Sequence, residues 1–202
     1  MYLNQKPGWI EVVCGPMFAG KTEELLRRVR RLEYAKKNIV VFKPSIDDRY
    51  ADNEVVSHNN SRTKSVNISY ARQIFEHIDK DTDVVAIDEI QFLDEEVVKI
   101  VDFLASKKIR VIVSGLDKDF RGEPFSFMPK LLAIAEYVTK LTAICVSCGR
   151  PATRTQRLVN GKPAKYKDPI VLIGAEESYE ARCRKCHKVY RKPRPYKNEI
   201  KS

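Results

Sequence analysis

An apolar run, a glycine-bounded octapeptide and an amphipathic run follow one another in VVCGPMFAGKTEELL, residues 12 to 26. No other stretch constrains the fold as tightly. GPMFAGKT fits G-x-x-x-x-G-K-[ST] at every position and lies between a strand-like and a helix-like segment. Glycines at 15 and 20 let successive backbone N–H groups turn inward with no Cβ in the way, forming a cradle for anionic oxygens. The helix that follows points its positive end into that cradle. Lys21 is placed to neutralise outer phosphates, and the Thr22 hydroxyl to bind Mg²⁺. Gly15, Pro16, Met17, Phe18, Ala19, Gly20, Lys21 and Thr22 form the candidate nucleotide-binding loop.

The rest of the chain supplies a framework for such a loop. WIEVVC (9–14), NIVVFK (38–43), VVAID (84–88), IRVIVSG (109–115) and VTKLTAICV (138–146) read as strands. Those before residue 116 are apolar on both faces, as in a parallel sheet covered by helices. Between them, Leu25, Leu26, Val29 and Leu32 form one helical stripe, and Asp94 caps a second helix that turns Val97, Val101 and Leu104 inward. The alternation predicts an α/β fold of the P-loop NTPase type, RecA-like, with a mostly parallel sheet and helices on both faces. Ligands then sit beyond the carboxyl ends of the strands. Residues 44–66 are polar and aperiodic, which predicts a long functional or disordered loop.

A phosphate loop needs an acid at the tip of a neighbouring strand, and VVAIDEIQF supplies Asp88 as a Mg²⁺ holder. The adjacent Glu89 is placed to take a proton from an attacking nucleophile. That nucleophile is water in an ATPase or a hydroxyl in a kinase, and the local residues are compatible with both.

The cysteines bear on that choice. Cys14 ends an apolar run and reads as a small buried hydrophobe. Cys145 and Cys148 form one C-x-x-C pair, Cys183 and Cys186 another, and four thiolates make a closed, structural Zn²⁺ site. His187, next to Cys186, is an alternative fourth ligand. The 34 residues between the pairs are more than a simple zinc ribbon carries. The metal therefore clips the base of a long loop, and a loop that closes over a site and excludes water favours transfer to a bound hydroxyl. A nucleic-acid-binding ribbon with an insertion would share this pattern.

Charge and hydropathy set outer bounds. The net charge of +10 favours anionic partners, but much of the excess lies in the Pro- and Lys-rich tail KVYRKPRPYKNEIKS, so nucleic acid is not the expected partner. No apolar run is long enough for a membrane span and no secretory signal is present, which makes cytoplasm the expected location. The organisation expected is an ATP-binding α/β domain over residues 1–140, a zinc-held lasso subdomain over 141–192, and a basic, disordered tail over 193–202. The rival is a nucleic-acid-dependent ATPase, which needs a second lobe or further motifs than this length holds. A non-enzymatic zinc module leaves the phosphate loop unexplained.

GPMFAGKT, KPSIDDRY, VVAIDEIQF, GLDKDFRGEPF, KLTAICVSCG and IGAEESYEARCRKC, in this order, closely resemble the thymidine kinases of the cellular type II family. The resemblance spans roughly residues 8 to 190. It implies transfer of the γ-phosphoryl of ATP to the 5′-hydroxyl of thymidine, giving dTMP in nucleotide salvage. Glu89 is then the general base, with Gln91 near the phosphates or metal. It further implies Asp47 assisting the metal or triphosphate and Arg49 steadying charge on the phosphoryl group. Met17, Phe92, Leu116, Phe120 and Phe125 become walls around thymine and sugar. Backbone groups of Ile170, Val171, Leu172, Ile173 and Gly174 read the base edge, and Tyr179 lies near the sugar. A homotetramer and feedback inhibition by dTTP are also implied.

Overall fold

The computed structural model describes residues 8–45, 54–56, 62–170 and 177–193. In chain order the strands are β1 (Trp9–Cys14), β2 (Ile39–Pro44), β3 (Glu54–Val56), β4 (Arg62–Lys64), β5 (Val66–Ile68), β6 (Val84–Ile87), β7 (Arg110–Gly115), β8 (Tyr137–Lys140), β9 (Ala143–Ile144), β10 (Pro151–Ala152), β11 (Arg154–Val159), β12 (Lys162–Pro163) and β13 (Glu177–Arg182). The α-helices are α1 (Lys21–Tyr34), α2 (Glu96–Ser106) and α3 (Met128–Ile134).

Six strands form the central sheet in the order β5-β2-β6-β7-β1-β8. Every neighbouring pair in it is parallel. Alternate residues divide its apolar side chains between two layers, as the two-residue period of a strand requires. Ile10, Val12, Phe42, Val85, Ile87, Val111 and Val113 pack with Val97, Ile100, Val101 and Leu104 of α2 and with Leu131 of α3. On the other face, Val41, Val84, Ala86 and Ile112 pack with Leu25, Leu26 and Val29 of α1. Helices therefore cover both faces, as the sequence predicts, and Cys14 is fully buried in the first layer.

Several elements depart from the sequence reading. VTKLTAICV is not one strand: β8 stops at Lys140 and β9 begins at Ala143. The reason lies in its partner. β8 pairs with β1 as far as Cys14↔Lys140, the Leu141 N–H makes a last bond to the Cys14 carbonyl at 2.8 Å, and β1 then turns away into the phosphate loop. Within 44–66, β3 and β4 form an antiparallel pair, and β5 extends the sheet edge. The segment between the cysteine pairs is not a plain loop: β11, flanked by β12 and β13, makes a three-stranded antiparallel sheet. The N-cap of α2 is Glu95 and not Asp94, which stands one residue earlier; the Asp94 carboxylate accepts the Glu96 N–H at 3.1 Å and the Ala71 N–H at 2.7 Å. No helix among the described residues is long and apolar enough to cross a membrane.

Candidate active site

β1 delivers the chain to Gly15, where a Cβ would lie 2.6 Å from the Leu141 carbonyl oxygen; only glycine fits this approach. Gly20 stands at φ 79°, in the left-handed region, and its carbonyl accepts the Glu24 N–H at 3.0 Å to start α1. Glu23 and Glu24 occupy the first turn and Arg31 the last, matching the helix dipole. Within the loop, the Lys21 ammonium donates to the Pro16 carbonyl at 3.0 Å and is buried. Its charge thus sits inside the cradle. Phe18 is half exposed, and Ala19 packs against the cluster formed by Ala143, Cys145, Ala152, Ala181 and Cys183.

β6 ends at Ile87 and carries Asp88 to the mouth of the loop. Asp88 is 3% exposed. Its Oδ2 accepts the Thr22 hydroxyl at 2.9 Å, and its Oδ1 accepts the Glu89 N–H at 3.0 Å together with the Ser114 hydroxyl from β7. Two oxygens of different elements, Thr22 Oγ1 and Asp88 Oδ2, converge here, the hard-ligand chemistry that suits Mg²⁺.

Glu89 adopts φ 50°, a left-handed conformation rare for a residue with a side chain. The short 3-10 turn Ile90–Phe92 that follows returns Gln91 beside it, and the Gln91 Nε2 donates to Glu89 Oε2 at 2.5 Å. The other end of the same amide, Oε1, accepts the Leu116 N–H at 3.0 Å. Burial raises the Glu89 pKa and the charge of Asp88 raises it further, while Lys21 and the Gln91 amide act in the opposite direction. A carboxyl with a raised pKa, fixed in position beside a hard-cation pair and a phosphate cradle, is equipped to accept a proton from a nucleophile.

Among the expected pocket walls, Leu116 and Phe125 lie in the main core layer, with Met17 and Phe92 packed against it. Phe92 and Phe125 meet edge to face, their centroids 6.0 Å apart. Phe120 stands apart from that layer, stacked under the Arg157 guanidinium. Tyr179 is half-buried on β13, opposite Arg157 in the register, and Ile170 is partly exposed. Asp47, Arg49, Val171, Leu172, Ile173 and Gly174 lie outside the described residues.

The four paired cysteines come together with all sulfurs within 4.8 Å of one another. A tetrahedral zinc site with Zn–S bonds near 2.3 Å sets its sulfurs roughly 3.8 Å apart. Cys148 and Cys183 are at 3.6 Å, so the set fits zinc. Each pair turns alike: Cys148 and Gly149 N–H groups donate to the Cys145 carbonyl, and those of Cys186 and His187 to the Cys183 carbonyl. His187 is not in the cluster; its Nε2 is spent on the Phe120 carbonyl at 2.8 Å.

Sequence reasoning did not single out Thr155, Ser114 or Arg157. Buried Thr155 on β11 accepts the Met17 N–H at 3.1 Å, tying the phosphate loop to the small sheet. No motif flags it, since TRTQR is unremarkable as a string.

A family model described as thymidine kinase matches residues 8–187. That span takes in the phosphate loop, the Asp88–Glu89 tip, the 115–125 segment and all four clustered cysteines. The chain belongs to the thymidine kinase family and is an ATP-dependent deoxynucleoside kinase that phosphorylates thymidine.

Proposed function

We propose that this enzyme belongs to the cellular type II branch and that Glu89 is the general base for attack by the 5′-hydroxyl of thymidine on the γ-phosphoryl of ATP. The observation that carries this is the unbroken chain from loop to acid: Thr22 bonds Asp88, Asp88 bonds the Glu89 backbone, and Gln91 holds the Glu89 carboxylate. Thr22 and Asp88 would hold Mg²⁺, which when bound neutralises charge on the phosphate oxygens. The loop N–H groups and Lys21 bind the triphosphate, and Glu89 receives the hydroxyl proton. In a loose transition state the hydroxyl proton leaves late, so Glu89 must be held in place to accept it as the new bond forms.

The sequence assigned Gln91 to the phosphates or metal. Its amide is engaged at both ends with Glu89 and Leu116, which supports a role in orienting the base. The nucleoside rests among Met17, Phe92, Leu116, Phe120 and Phe125, with Ile170 to Gly174 and Tyr179 on the lasso side. Asp47 assists the metal or triphosphate, and Arg49 steadies charge on the transferring phosphoryl group. A division into an ATP-binding part and a zinc-held part after residue 140, a homotetramer, inhibition by dTTP and a cytoplasmic location complete the reading, and family resemblance supports them.

The test is Glu89→Gln. Thymidine-dependent turnover falls by about 10²–10⁴, the usual effect of losing a positioned base, while ATP affinity measured by calorimetry is retained. Full activity in that variant overturns the assignment.

A further inference from the structure

The small zinc-held unit grips one turn of the ATP-binding side. Asp119 shapes that turn, its carboxylate accepting the Arg121 and Glu123 N–H groups at 2.9 and 3.0 Å. The three carbonyls at its tip are each taken by a side chain from beyond residue 150. His187 Nε2 donates to that of Phe120 at 2.8 Å, Lys192 Nζ to that of Arg121, and Arg154 Nη1 to that of Gly122 at 3.2 Å.

The turn grips back. Arg121 Nη2 donates to the Asp168 carbonyl at 2.9 Å, and its guanidinium lies 5.0 Å from the Tyr166 ring centroid. Phe120 presents its ring to Arg157, whose guanidinium carbon sits 4.0 Å from the centroid. Arg157 is 1% exposed. Its Nη1 donates to the Pro169 carbonyl at 2.6 Å and lies 3.5 Å from that of Ile170, and the Asp168 carboxylate is 3.8 Å from Nη2.

Burying a guanidinium this deeply strips it of hydration, a cost that an apolar side chain of similar volume avoids. What an apolar side chain lacks is the link. One rigid plane lays its face on an aromatic ring and turns its N–H edge to the chain at residues 169–170.

We propose that Arg157 is a positioning residue for the nucleoside. By stacking on Phe120 while holding the Pro169 and Ile170 carbonyls, it fixes the spacing between a wall of the thymidine pocket and the first residues of the lasso segment. This rests on the reading that Phe120 and Ile170 border that pocket.

Arg157→Lys in the zinc-loaded, full-length chain tests it. Lysine keeps the charge and loses the planar face and the fork of donors. Losing one stacking contact and one hydrogen bond raises the KM for thymidine about tenfold. The KM for ATP, kcat and the zinc content stay within about twofold, because only the nucleoside side is loosened. An unchanged thymidine KM overturns the proposal. So does a parallel loss of zinc, ATP affinity and kcat, which would show that Arg157 merely holds the fold. Phe120→Leu separates this inference from the pocket assignment beneath it. If Phe120→Leu leaves the thymidine KM unmoved, the pocket reading itself fails. If it raises KM and Arg157→Lys does not, only the inference about Arg157 fails. With both correct, the double variant is no weaker for thymidine than the worse single one, since the two side chains act as a unit.

Discussion

Glu89 combines an uncommon backbone with an uncommon titration. Holding a side-chain-bearing residue at φ 50° costs on the order of 1 kcal/mol or more. The bonds from its N–H to Asp88 and from Gln91 to its carboxylate oppose relaxation. Burial, then the Asp88 charge, raises its pKa, so the group stays protonated at pH values where an ordinary glutamate is ionised. Only the ionised form accepts a proton. Activity therefore falls as pH drops through the raised value, and the acid limb of kcat against pH lies above the ordinary glutamate value of about 4.3. The Gln91 amide pulls the other way, so Gln91→Leu moves that limb to still higher pH and lowers kcat. A pH–rate series on both enzymes checks this; a limb that stays in place or moves down separates Gln91 from the base.

At the level of elements, α1 has to stay registered on the sheet for Lys21 and Thr22 to meet Asp88. A buried ion network holds it there. Glu11 of β1 pairs with Arg28 of α1 at 2.7 Å and with Arg110 of β7 at 2.6 Å. Arg28 also donates to Thr139 of β8 at 2.8 Å, so one helix residue is tied to two strands. Trp9 donates its indole N–H to Glu11 at 2.7 Å, and its ring lies under Arg110. Removing the one acid strands Arg110, which is partly buried, and leaves Arg28 held only by Glu24 and Thr139. Glu11→Ala accordingly lowers the unfolding free energy by about 3 kcal/mol. Trp9 is the single tryptophan, so urea unfolding followed by its fluorescence reports the network directly. A change below about 0.5 kcal/mol would mean the network is merely a surface feature.

Across the whole molecule, the cysteine cluster and the phosphate loop are neighbours. Ala19 of the loop packs on the cluster, and the Met17 N–H reaches Thr155 in the adjoining sheet. The Cys186 N–H holds the Cys183 thiol below its ordinary pKa, which favours the thiolate that a metal binds. Zinc in this place would act on catalysis through the order of what surrounds it. Cys148→Ser lowers bound zinc by elemental analysis and raises the thymidine KM, with thermal unfolding shifted down. Unaltered zinc content in that variant counts against the ligand set.

Local chemistry was legible in the chain. The loop from Gly15 to Thr22 is contiguous, strands apolar on both faces announce a covered parallel sheet, and two C-x-x-C pairs carry their spacing in the string. The 3-10 turn that brings Gln91 back to Glu89 is local too, yet no propensity rule announces a glutamate in the left-handed region. β5 is three residues long, too short to show a period, and the three-stranded sheet between the cysteine pairs has no signature beyond polar alternation. Thr22 and Asp88 are 66 residues apart, Met17 and Thr155 138. Contacts at such separations depend on where the packed layers bring the backbone, and side-chain type alone does not reveal them. The sequence by itself determined that phosphates are held and that two cysteine pairs are spaced to grip a metal. Only the tertiary structure decided that Arg157 is buried against Phe120 and that His187 braces a carbonyl instead of binding metal, because burial and partner choice are properties of the packed chain.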